Sequence, residues 1–75
     1  MAYTMKLPKP STSKQISFIQ WKIRMGMPEL EGLKGFQFLN KMDVFEASDL
    51  IENINDNLWD QVEFIVKALK YKEVL

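Results

Sequence analysis

The chain contains no cysteine and no histidine, only three glycines and three prolines, and no net formal charge, with ten basic residues against ten acidic ones. Each shortage excludes something. Without thiols there is no disulfide framework, and without thiol or imidazole the usual zinc ligands are missing. Nucleophilic catalysis of the Ser-His or Cys-His kind lacks its base. There is no glycine-rich phosphate loop, and Ser11 and Ser13 fall where a helix starts, a position at which hydroxyls bond the backbone. No catalytic residue, metal ligand or cofactor is therefore expected, and the chain does not read as an enzyme. No hydrophobic run approaches the length of about eighteen residues that a membrane span requires, so no membrane partner is expected. Met1 to Pro10 has no apolar stretch of the kind a secretory leader carries. Together with the missing cysteines, this makes the cytoplasm of a bacterial or phage-infected cell the expected compartment. At 75 residues, one domain is the ceiling.

What is present is a generous apolar complement. The hydrophobic fraction is 47%, with five Phe, two Trp and two Tyr, too rich for a disordered segment. Residues 1–10, with Lys6, Lys9, Pro8 and Pro10 and little periodicity, read as a flexible basic arm. Residues 11–75 read as a single all-α domain of three helices, over about 13–25, 43–54 and 57–71, with a long packed connector between the first two. Thr12 and Gln15 fit a capping box at the first start, and Gly26 followed by Pro28 marks the stop. Asp43 and Glu46 repeat the box at the second start. Val44, Ala47, Leu50, Ile51 and Ile54 then give helical spacing, as do Leu58, Val62, Ile65 and Leu69 further on. Asn55, Asp56 or Asn57 is expected to cap the third helix. In the connector, Leu30, Leu33, Phe36, Phe38 and Leu39 are expected to anchor the chain to the core.

The zero net charge conceals a division. Residues 1–42 carry seven cations and two acids, a net of +5, and no acid occurs before Glu29. Residues 43–75 carry three cations and eight acids, a net of −5. The boundary falls at the cap of the second helix. Glu46, Asp49, Glu52 and Asp56 lie three or four apart, the spacing of a solvated helix face. They lack the glycine turn and alternating spacing of a calcium loop. Such a face repels nucleic acid and so restricts which side of the domain can touch it.

On a wheel of about 100° per residue, the first helix sorts into two apolar sides. Ile16, Ile19 and Ile23 fall together, while Phe18, Trp21 and Met25 fall nearly opposite, with Lys14 among them and Lys22 and Arg24 flanking. The plainer expectation is that Phe18 and Trp21 are core, covered by the connector or the third helix, and that the cations are merely solvated. The other is a binding surface on which cations meet phosphates and the rings stack on bases.

The run Thr12-Ser13-Lys14-Gln15-Ile16-Ser17-Phe18-Ile19 resembles a pattern T-x-K-Q-I-x-F/Y-I, and Glu46-Ala47-Ser48-Asp49-Leu50-Ile51 resembles its companion E-A-S-x-x-I. Together they are similar to small helical modules of phage and prophage proteins, which in turn resemble helix–extension–helix units of the SAP and LEM type. The resemblance covers about residues 11–54, and it implies a packing arrangement more than a chemistry. Modules of this kind commonly bind DNA, and several bind proteins. Here the connector is longer than that pattern has, and the third helix lies outside it.

The leading expectation is a small phage or mobile-element accessory protein that binds nucleic acid through the arm and the first helix. Lys9, Thr12, Lys14, Phe18, Trp21, Lys22 and Arg24 are the candidate contacts. Ser11, Thr12 and Ser13 would add an anion site made from free amides at the helix start. The alternative is a protein-interaction module, such as a modulator of a host protein, using the charge dipole and the aromatic face. Self-association of +5 against −5 is a further possibility.

Overall fold

The computed structural model describes residues 9–74, and it is an all-α domain of three helices: α1 (Ser13–Gly26), α2 (Val44–Asn55) and α3 (Trp59–Val74). The expected arm lies, for residues 1–8, outside the described residues. Both expected capping boxes form. Thr12 Oγ1 accepts from the Gln15 amide (3.1 Å) while Gln15 Oε1 accepts from the Thr12 amide (2.9 Å). Asp43 and Glu46 repeat this at α2, at 2.8 and 3.0 Å. Each box satisfies two amides that a helix start otherwise leaves unpaired.

Helix α2 lies in the middle, packed by α1 and by α3. Ile19 and Ile23 of α1, Ala47, Leu50 and Ile54 of α2, and Val62, Val66 and Leu69 of α3 are all buried. The contact between α1 and α2 is also polar. Gln15 Nε2 donates to the Val44 carbonyl and to Ser48 Oγ, both at 3.3 Å. The Val44 amide donates in turn to the Lys9 carbonyl (2.8 Å), and the Ser11 amide to the Met42 carbonyl (3.2 Å). The segment before α1 is thus laced antiparallel along residues 42–44, and Val44 is bound through both its backbone groups. Two members of the T-x-K-Q and E-A-S runs, Gln15 and Ser48, touch each other here.

The connector carries helical turns of its own. It makes two 3₁₀ turns, Pro28–Leu30 against α1 and Gln37–Lys41 against α3. Between them Gly32 and Gly35 exchange backbone hydrogen bonds at 3.1 and 3.0 Å. Gly35 adopts φ +70°, the left-handed region that a side chain resists. Leu30, Phe36, Phe38, Leu39 and Met42 are buried. Leu33 corrects the sequence reading: it stands at the tip of this reverse turn and is wholly exposed, so it anchors nothing.

Two further expectations change at the helix ends. Asn57 does not cap α3. It takes φ 58° and closes α2, with its amide donating to the Ile54 carbonyl (3.0 Å) and the Leu58 amide to Asn53 (2.9 Å). That is the Schellman arrangement with Asn in the left-handed position, and it turns the chain into α3 within three residues. Gly26 does end α1, but its role is spatial. A Cβ there would fall inside the van der Waals surface of the Trp59 ring. Substituting Gly26→Ala should therefore cost stability, by about 1–3 kcal/mol for an overpacked contact, despite alanine's better helix propensity. Chemical denaturation checks this; a stabilised variant would show that Trp59 does not pack on α1.

Candidate nucleic-acid interface

With Ile19 and Ile23 turned inward, the opposite side of α1 faces solvent. Trp21 is 53% exposed and Met25 71%, whereas Phe18 is half-buried against the core. The two rings therefore divide between the readings open from sequence: Phe18 serves the core with one edge, and Trp21 belongs to the surface. They meet edge to face, with centroids 6.2 Å apart and planes at 69°. Lys22 Nζ stands 4.9 Å from the Trp21 ring centroid and 5.7 Å from that of Phe18. An ammonium over two aromatic faces is attracted by their quadrupoles. Here it is held on the outside of the helix, where it can also meet an anion. Lys14, two turns earlier, is exposed on the same side.

The seven candidate contacts do not all converge. Lys14, Phe18, Trp21 and Lys22 share this face. Arg24 turns toward the connector, where its guanidinium lies 5.1 Å from the Phe36 ring centroid and its Nε 3.7 Å from Glu31 Oε1. Both groups of that ion pair are well exposed, so it contributes little, but it aims Arg24 away from Trp21. Lys9 is fixed by its carbonyl at the start of α2, and its side chain is exposed there. Thr12 serves the cap. At the α1 start the capping box takes up the Thr12 and Gln15 amides, and the Ser11 amide donates to Met42, which leaves the Ser13 and Lys14 amides as the helix-start donors for the expected anion site.

The acidic residues of α2 take a separate side. Glu46 accepts from Lys72 Nζ at 3.0 Å, tying the start of α2 to the end of α3. Among the described residues, Asp49, Glu52, Asp56 and Asp60 form no ion pair, and no group of carboxylates converges closely enough to hold a metal. No described helix is long and apolar enough to cross a membrane.

Sequence reasoning passed over a second surface. Phe64 is 72% exposed and Tyr71 65%, and with the exposed Ala68 they line the side of α3 opposite the Val62–Val66–Leu69 stripe. Their spacing, seven residues apart with Ala68 between, was the available signal. Phe64, Ile65 and Ala68 form one wall of a hollow of about 250 Å³ between α2 and α3, and Glu46 and Asp49 form the other.

Exposure of Trp21 is directly measurable. In a Trp59→Phe variant, Trp21 is the sole indole, and its emission should be solvent-shifted to the red. Iodide should quench it more strongly than caesium, because Lys22 gathers anions at the ring. A blue emission that resists both quenchers would mean that the ring is covered.

No protein-family model matches the chain, and neither a curated protein nor a solved structure shows significant similarity to it.

Proposed function

We propose that the chain is a small accessory protein of a phage or mobile element, acting in the cytoplasm, that binds nucleic acid through the outer face of α1. The observation that carries this reading is the exposed Trp21 ring with the Lys22 ammonium 4.9 Å from its centroid. An indole at the surface offers a stacking platform to an unpaired base, and the neighbouring cation meets the phosphate of the same nucleotide. Single-stranded nucleic acid is the substrate class that supplies both groups at once. Lys14 extends the cationic track along the helix, and Lys6 and Lys9 precede it in the sequence as further cations. The resemblance of the Thr12–Ile19 and Glu46–Ile51 runs to phage helical modules supports the same assignment. The acidic side of α2 would repel the polyanion, leaving α1 as the face it approaches.

A second reading, a module that binds a host protein, is favoured by Met25. It is 71% exposed beside Trp21, and a thioether adapts to a protein surface but contributes nothing to phosphate recognition. Catalysis has no place in either reading.

Titration with a fluorescent single-stranded oligonucleotide at several salt concentrations tests the proposal. Three to five phosphate contacts give a slope of log K against log salt of about −2 to −3.5 on single strands. Trp21→Ala should weaken binding by roughly fivefold to a hundredfold, the loss of one stacked base, without changing that slope. Lys22→Gln should reduce the slope by about 0.7. Absence of binding at low salt would overturn the proposal. A partner protein bound with nuclease-insensitive stoichiometry would favour the second reading.

A further inference from the structure

The same chain carries a surface suited to receive α1. The α2–α3 hollow has Phe64 and Ala68 on one side and Asp49 on the other. The Glu46–Lys72 ion pair spans from α2 to α3 at one end, and Asp56 and Asp60 lie by the connection between the helices at the other. Residues 43–60 hold six acids and no cation. The outer face of α1 is the complement in both respects: Trp21 and Met25 are exposed apolar groups, and Lys14 and Lys22 stand beside them. The spacings agree as well. At 1.5 Å per residue, Lys14 and Lys22 are about 12 Å apart along their helix, and Asp49 and Asp56 about 10.5 Å along theirs.

From this complementarity we infer that the α2–α3 hollow is a docking site for α1 of a second copy of the chain. Trp21 seats against Phe64 over the small Ala68, with Lys22 beside Asp49 and Lys14 toward Asp56. One copy cannot satisfy itself. Helix α1 sits on the Ser48 side of α2, to which Gln15 is bonded, whereas Glu46, on the hollow, is about 160° around that helix. The contact is therefore heterologous: each copy offers one donor face and one acceptor face, and assembly proceeds head to tail. A single helix face laid in a groove is at the low end of interface sizes, so the association is weak and grows with concentration. The inference does not depend on nucleic-acid binding, although both use α1, and bound nucleic acid would compete with the neighbouring copy.

The test is light scattering of the nuclease-treated full-length protein across a wide concentration range. The average mass should rise steadily with concentration at 0.1 M salt, where the Debye length is about 10 Å, and fall back toward the monomer at 1 M, where it is about 3 Å. Trp21→Ala removes the donor anchor, and Ala68→Arg fills the hollow with a cation; both positions are exposed, and circular dichroism checks that each variant folds. Each variant alone should remain monomeric. Mixed, they should form a one-to-one complex and nothing larger, because one intact donor and one intact acceptor remain. Ala68→Arg should still bind an oligonucleotide if α1 binds nucleic acid, which separates failure of one proposal from failure of the other. A wild-type protein that stays monomeric at low salt, or an assembly that survives both substitutions, would overturn the inference.

Discussion

Helix α1 carries two apolar faces, and the fold buries only one of them. Ile19 and Ile23 are fully enclosed, and burial of a side chain of that size is worth about 1.5–3 kcal/mol. Directional bonds across the α1–α2 interface favour the same rotation of α1. Gln15 completes the cap at Thr12 and also donates to Val44 and Ser48 across the helix interface. A helix pinned at that residue cannot roll to bring Trp21 inward without breaking both cross-helix bonds. Docking the isoleucines therefore forces Trp21 and Met25 into solvent, and the surface chemistry of the domain follows from the packing of its core.

The distribution of charge is organised by the same arrangement. Among the described residues, Glu46 of α2 is paired with Lys72, while Asp49, Glu52 and Asp56 are exposed and form no ion pair. The outer side of α1 thus carries Lys14 and Lys22, and the outer side of α2 carries Asp49, Glu52 and Asp56. A single-stranded polyanion and the acidic side of another copy present related chemistry to α1: negative charge beside flat or apolar groups. Occupation of the face by one excludes the other, so the two proposed interactions are alternatives at a shared site.

The parts of this structure that were legible in the sequence are local ones. The caps at Thr12 and Asp43 depend on residues three apart, and the helices they start appear within a residue or two of the expected positions. What could not be read depended on contacts distant in sequence. Gly26 looks like a helix stop, yet what requires it is Trp59. Asn57 can serve the start of one helix or the end of another, and only the bonds from its own amide and that of Leu58 to α2 decide between them. Leu33 looks like a core residue until the Gly32–Gly35 pairing lifts it to the tip of a turn. At the candidate site, helical periodicity grouped Phe18, Trp21 and Met25 correctly but could not say which of them the core would cover. It also held the spacing of Phe64, Ala68 and Tyr71, which went unused because the buried stripe of α3 was sufficient to explain that helix without it.

The central claim is that the outer face of α1 meets nucleic acid while the acidic side of α2 stays clear of it. Mapping amide chemical shifts of the labelled protein on addition of a short single-stranded oligonucleotide at low salt tests both halves in one spectrum. The account predicts shifts at Lys14, Phe18, Lys22 and Met25, and at both the backbone and indole N–H of Trp21, with α2 and α3 unperturbed. A spectrum that does not change, or one whose changes lie on α2 and α3, would contradict it.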